Sequence, residues 1–146
     1  MARYISFVLL SIFTITIMVL FFIDYRRKLK PHHNPKVSFI IPCYNDGHVV
    51  RQCIESIYHS YDKKNFELIV VNDCSKDNSA EVIKKMQSDY DFTFIDLPKN
   101  VGKSDALNHA SQYAKYDIIS FVDADAEINT TALDDVLNRF ETFPKM

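Results

Sequence analysis

Asp123-Ala124-Asp125 closes the apolar run Ile118-Ile119-Ser120-Phe121-Val122, so two carboxylates one small residue apart follow directly on a strand-like segment. Hard oxygen ligands in that pattern suit Mg²⁺ or Mn²⁺ and leave room for an anionic ligand beside the cation. A single aspartate after a strand is commonly a turn residue or a helix N-cap. Here Asn129 or Thr130 already offers a cap for the helix marked by Ala132, Leu133, Val136, Leu137 and Phe140. The aspartate pair is left in the loop without a capping task. Other charged groups occupy comparable places: Asp46 and Asp73 each follow an apolar run. Lys103 stands where a loop meets a helical pattern, a position from which a cation can approach a diphosphate; a solvated lysine is the plainer reading of that loop alone.

These residues depend on the elements that carry them. Val37 to Ile41, Phe66 to Val71 and Phe92 to Ile95 read as strands, the first stopped by Pro42, and the run ending at Val122 reads as a fourth, buried on both faces. Between them, Val50, Cys53, Ile54, Ile57 and Tyr61 share one helical face. Ala80, Ile83, Met86 and Tyr90 make a second stripe, with Asp77 or Asn78 as N-cap, and Ala106, Leu107, Ala110, Tyr113 and Ala114 a third. Strands alternating with such helices predict a doubly wound α/β domain with a mainly parallel sheet and right-handed crossovers. In that topology the segments after strands one, two and four emerge along one sheet edge, where ligands bind. Asp46, Asp73, Asp123 and Asp125 would converge there. Packing alone does not call for such a cluster, and mutual repulsion opposes it, so a cation or a polyhydroxyl ligand is the natural compensation.

The first thirty residues differ from the rest. Ile5 to Ile23 carries no charge, and as a helix of about 28 Å it approaches the roughly 30 Å hydrocarbon core of a bilayer. The run meets Asp24-Tyr25-Arg26-Arg27-Lys28 rather than a small-residue cleavage site, which predicts an uncleaved single-pass anchor over residues 1–30 rather than a signal peptide. Only Arg3 is charged before the run, whereas Arg26, Arg27, Lys28 and Lys30 follow it, and the positive-inside rule then puts the following domain in the cytoplasm. Residues 31–36 form a Pro/His/Asn linker, and the folded domain spans 37–146. The first thirty residues carry five basic and one acidic side chain, net +4; the whole chain is −2, so residues 31–146 carry −6. An acidic domain of this kind argues against nucleic-acid binding through a basic face. Cys43, Cys53 and Cys74 form no CxxC pair and no zinc spacing.

Several phosphate motifs fail. A Walker A loop ending at Gly102-Lys103-Ser104 requires glycine where Leu97 stands, and Gly47 and Gly102 are the chain's two glycines, too few for GxGxxG. An EF-hand fails because Ile128 occupies its obligatory glycine position. An aspartyl phosphatase using Asp123 would need motifs downstream, for which too little chain follows.

Four ordered segments resemble the nucleotide-sugar half of family-2 glycosyltransferases, which have the GT-A fold. They are Val37-Ser38-Phe39-Ile40-Ile41-Pro42-Cys43-Tyr44-Asn45-Asp46, Val70-Val71-Asn72-Asp73-Cys74-Ser75-Lys76-Asp77, Asn100-Val101-Gly102-Lys103-Ser104-Asp105-Ala106-Leu107-Asn108 and Phe121-Val122-Asp123-Ala124-Asp125. The Gly-Lys-x-x-Ala-Leu-Asn form is most similar to membrane-bound polysaccharide synthases. The resemblance implies a UDP-sugar donor and a glycan or lipid acceptor. Asp73 would contact uracil and ribose, and Asp46, where the family commonly has Glu, would assist near the nucleoside. Asp123 would lie by the ribose and diphosphate and share a Mg²⁺ or Mn²⁺ with Asp125, and Lys103 would lie near the diphosphate.

In the family the base that deprotonates the acceptor is an acidic residue further downstream, and processive members add Gln-x-x-Arg-Trp. This chain has no tryptophan and its base is expected beyond Met146, which implies the amino-terminal donor-binding part of a larger hexosyltransferase. A non-catalytic nucleotide-sugar-binding or assembly module is the alternative.

Overall fold

The computed structural model describes residues 2–27 and 35–142, with side chains left undescribed at 2–9, 24–27, 132 and 138–142. The chain divides into two units, Met1–His33 and Asn34–Met146. In the first, α1 runs Ala2–Arg27. Its described side chains, Leu10 to Ile23, are exposed and, apart from Ser11, Thr14 and Thr16, apolar, and the threonines turn back on the helix: Thr14 Oγ1 donates to the Ser11 carbonyl at 2.9 Å and Thr16 Oγ1 to that of Ile12 at 2.8 Å. Among the described residues no helix is long and apolar enough to cross a membrane. Fourteen residues span about 21 Å, and the rest of the predicted span, like most of the 31–36 linker, lies outside the side chains described.

The second unit alternates strands and helices throughout: β1 Val37–Cys43, α2 Val50–Ser60, β2 Phe66–Asn72, α3 Ser79–Met86, β3 Thr93–Asp96, α4 Lys103–Ser111, β4 Ile118–Phe121 and α5 Thr130–Thr142. The sheet is wholly parallel in the order β3-β2-β1-β4. The chain moves outward from β1 to β3, then returns to lay β4 on the other side of β1. The crevice between β1 and β4 at the carboxyl edge is therefore the switch point.

Alternation along β1 feeds two cores. Phe39, Ile41 and Cys43 pack with Cys53, Ile54 and Ile57 of α2 and with Ile83 and Met86 of α3, in a cluster that also takes Leu133 and Leu137 of α5. Ile40, Ile69 and Val71 pack on the opposite face against Ala106 and Ala110 of α4, whose small side chains one turn apart let that helix sit close to the sheet. Burial on both faces is why β1 and β2 read as near-continuous apolar runs.

Three predictions need correction. β1 does not stop at Pro42 but continues to Cys43. Val122 donates to the Ile40 carbonyl at 3.0 Å, so Ile40 and, two residues on, Pro42 face β4; the ladder with β4 ends at Ile40, and the donor that proline lacks has no acceptor to miss. β4 is not buried on both faces. It is an edge strand in the described sheet, with Ile119 38% and Phe121 54% exposed beyond the reach of α4. Finally, the second and third helices end early. α3 stops at Met86 and α4 at Ser111, so Tyr90 and Tyr113 fall beyond them, Tyr90 tilted against Tyr58 with ring centroids 4.7 Å apart and Tyr113 exposed. On α5, Leu133 and Leu137 are buried as the spacing requires, while Val136 is exposed.

Candidate active site

The loops after β1 and β2 build one wall of the crevice by locking into each other. Asn45 N donates to Ser75 Oγ at 2.9 Å, Lys76 N to Asn45 Oδ1 at 2.8 Å, and Gly47 N to Asp77 Oδ2 at 3.1 Å. Asp77 also accepts from Ser79 N (3.0 Å) and Ser79 Oγ (2.5 Å), so it, and not Asn78, holds the first turn of α3. Desolvation alone would raise its pKa; the Ser79 hydroxyl and amide and the Gly47 amide outweigh it and hold the carboxyl below its ordinary value. The loops approach closely at Gly47, where a Cβ would lie 2.3 Å from Asn78 Oδ1 and 2.9 Å from the Ser79 amide nitrogen. Asp46 accepts from the Tyr44 amide at 3.2 Å, bracing a turn in which Asn45 has φ 60°, and its carbonyl receives the Val49 and Val50 amides at the start of α2.

The opposite wall comes from the loops before α4 and after β4. Asp73 is 3% exposed; its Oδ1 accepts from Val101 N at 2.7 Å and its Oδ2 from Gly102 N at 2.8 Å. Gly102 has φ 86°, the left-handed region in which glycine avoids the Cβ penalty, and Lys103 opens α4 immediately after it. Lys103 Nζ reaches Asp123 Oδ1 at 2.6 Å across the mouth, with both side chains more than half exposed. The Asp123 carbonyl accepts from Ala126 N at 3.0 Å and from the Cys53 thiol at 3.3 Å, which fixes the turn carrying both acidic side chains. Burial, reinforced by the charges of Asp125 and Asp123, pushes the Cys53 thiol up to about 12, so it stays a protonated donor. Asn129 Oδ1 accepts from Thr131 N at 2.8 Å and caps α5, as the sequence predicts. Asp125 is thus spared that task; exposed, it has no hydrogen-bond or ion-pair partner among the described residues.

Asp46, Asp73, Lys103, Asp123 and Asp125, drawn from four loops, all line one cavity of about 420 Å³. Tyr44, Asn100 and Ala124 line it too. Asn100 has a visible task, since its Nδ2 donates to the Asp73 carbonyl at 3.2 Å. Among the described residues no three His, Cys, Asp or Glu side chains gather as a metal-ligating group.

Residues 38–145 match the model of "Glycosyl transferase family 2". The chain belongs to that family. The poly-beta-1,6-N-acetyl-D-glucosamine synthase of Staphylococcus aureus (strain COL) is 33% identical to this family-2 chain over 148 aligned positions, covering 95% of the chain and 35% of the synthase. The Staphylococcus epidermidis synthase of the same name is 36% identical over 110, covering 75% and 26%. Among solved structures, S. aureus TarS 1–349 in complex with UDP-GlcNAc superposes with a TM-score of 0.66 at 28% identity, over 75% of this chain and 32% of TarS. The mannosyltransferase PcManGT of Pyrobaculum calidifontis, in complex with GDP-Man and Mn²⁺, shares the fold with a TM-score of 0.70 at 23% identity, over 84% and 39%. The family-2 chain spans about a third of the length of the curated synthases it matches.

Proposed function

We propose that this chain carries the donor site of a glycosyltransferase that transfers N-acetylglucosamine, or a related hexose, from a UDP-sugar to a glycan or lipid acceptor. The observation that carries the reading is the meeting of one cation and four carboxylates from four loops around a single cavity at the switch point of the sheet. About 420 Å³ lies within the range of small-molecule sites, roughly 300–1,000 Å³. The similarity to poly-N-acetylglucosamine synthases and to a TarS structure holding UDP-GlcNAc supports this donor class.

Asp125 and Asp123 fit a divalent cation chemically: two carboxylates with hard oxygens, that of Asp125 without a partner among the described residues, with water and ligand oxygens left to complete the shell, as Mg²⁺ and Mn²⁺ prefer. Once bound, such an ion supplies positive charge where the nucleoside diphosphate departs. The chain's own contributions are electrostatic and positional. Lys103 is held at the cavity mouth by an exposed ion pair, a contact worth about 1 kcal/mol or less, so an incoming diphosphate can draw the ammonium off Asp123 at little cost. Asp46 and Asp73 shape the nucleoside end. The acceptor hydroxyl also needs a base. The family resemblance assigns that role to a downstream acidic residue, and none of the five residues is given it here.

The membrane reading is part of the same proposal. An apolar α1, whose threonine hydroxyls are satisfied by its own carbonyls, suits a lipid environment, and Arg26, Arg27, Lys28 and Lys30 on its C-terminal side favour a cytoplasmic domain, single-pass anchored. Metal-dependent release of UDP from UDP-GlcNAc by the chain tests the activity. Binding without release would leave the alternative, a nucleotide-sugar-binding module.

A further inference from the structure

The segment that carries Asp123 and Asp125 is tied along its length to α2. From Val122 to Ile128 its side chains alternate: Val122 and Ala124 are buried and Ala126 and Ile128 half-buried against the core, whereas Asp123, Asp125 and Glu127 are exposed. Backbone groups lying against a core need partners, and here side chains of α2 supply them. The Cys53 thiol donates to the Asp123 carbonyl at 3.3 Å. The Ile128 amide donates to Ser56 Oγ at 2.9 Å, and Ser60 Oγ donates to the Ile128 carbonyl at 2.8 Å. Ser56 gives its own proton to the Cys53 carbonyl at 2.8 Å, which leaves its oxygen lone pairs for Ile128. Spacings of three and four put Cys53, Ser56 and Ser60 on one face of the helix. Asp125 stands between the two ends of this clamp, two residues after Asp123 and three before Ile128. Its carboxylate is exposed and has no partner among the described residues, so the backbone on either side sets where it stands.

We propose that Ser56 and Ser60 are positioning residues for the divalent cation: by holding both backbone groups of Ile128 they fix the turn that presents Asp125 as a ligand. Cys53 pins the other end of that turn at Asp123. The inference rests on the donor-site reading above. Groups that lie behind a metal ligand and orient it commonly change metal affinity by about 10- to 100-fold when removed. Two hydroxyls that only satisfied buried backbone would lower stability and leave the metal affinity of the folded chain unchanged. A positioning pair weakens the metal and spares what the nucleotide binds without it.

The test uses the 146-residue chain with folding verified by circular dichroism, as wild type, Ser56→Ala, Ser60→Ala and the double variant. Mn²⁺ is titrated into the UDP-bound chain, followed by the electron paramagnetic resonance of free Mn²⁺, and UDP is titrated calorimetrically without metal. The double variant is expected to bind Mn²⁺ about tenfold more weakly, each single variant less so, while UDP affinity without metal stays within about twofold. The single variants keep the test decisive should the double variant fail to fold. Ser38→Ala supplies the structural comparison: Ser38 is fully buried at the amino edge of the sheet, and its hydroxyl donates to Glu67 Oε1 at 2.6 Å and accepts from the Tyr116 amide at 3.1 Å. Its loss is expected to lower the urea midpoint and to leave Mn²⁺ affinity within about twofold. In an Asp125→Asn background the serine substitutions are expected to cause no further loss of Mn²⁺ affinity. Unchanged Mn²⁺ affinity in the folded serine variants, an equal loss in Ser38→Ala, or a further loss in the Asp125→Asn background would each overturn the role. Folded wild type that binds neither UDP nor Mn²⁺ would instead overturn the donor-site reading, and this role with it.

Discussion

Gly47→Ala probes the interlock that builds the cavity wall. The new Cβ would lie 2.3 Å from Asn78 Oδ1, 2.9 Å from the Ser79 amide nitrogen and 3.2 Å from the Asn78 carbonyl carbon. The side-chain oxygen can rotate away; the two backbone atoms belong to the N-terminus of α3 and cannot. Relief requires the loops to part, which weakens the Gly47 N–H bond to Asp77 and the Asn45 bonds to Ser75 and Lys76. Overpacking of this kind costs about 1–3 kcal/mol and a weakened hydrogen bond about 1 more, which for a domain of this size predicts a melting temperature lower by about 10 °C. Calorimetry or a circular-dichroism melt measures it, with UDP affinity read on the same protein at a temperature where it is folded. Adding Asn78→Ala removes only the 2.3 Å contact, so partial rescue is expected. A Gly47→Ala melt within about 2 °C of wild type, with unchanged UDP affinity, would refute the reasoning.

Two further outcomes follow from the same geometry. Lys103→Ala removes an ion pair whose side chains are 60% and 56% exposed, so stability by urea unfolding is expected to change by less than about 1 kcal/mol while UDP affinity falls; a large loss of stability would mean that the pair is structural. The Asp77 carboxyl is held below its ordinary value in the folded chain, so it contributes stability above its unfolded pKa of 3.8, and that contribution is lost as pH falls through the folded value. Asp77→Asn is therefore expected to lower the urea midpoint at pH 7 more than at a pH of about 2.5, and an equal drop at both would contradict the assignment.

Much of this architecture is legible in the sequence because its signals are local. Runs such as Val37 to Ile41 and Leu68 to Val71 are continuous because both faces are buried, the helical stripe on α2 repeats at the right spacing, and on α5 Leu133 and Leu137 are buried. The convergence of Asp46, Asp73, Lys103, Asp123 and Asp125 follows once the strands are parallel, since topology alone carries their loops to one edge. What was not legible depends on partners far along the chain. Ile118 to Phe121 looks like a central strand, but its place at the edge of the described sheet is set by strand order, with α4 packing on β1 and β2. Pro42 reads as a stop until the ladder with β4 is known to end before it. Asp73 carries no sequence mark of its two amide partners, which lie 28 and 29 residues away, and Gly47 reads as a turn glycine although its φ is ordinary and its need is for space.

The most direct measurement is a calorimetric titration of UDP into the folded chain, with and without Mn²⁺, beside Asp125→Asn. The account predicts that wild type binds more tightly with Mn²⁺ and that Asp125→Asn loses this dependence while keeping its fold. Folded wild type that binds no UDP in either condition, or an Asp125→Asn variant with undiminished metal dependence, would contradict it.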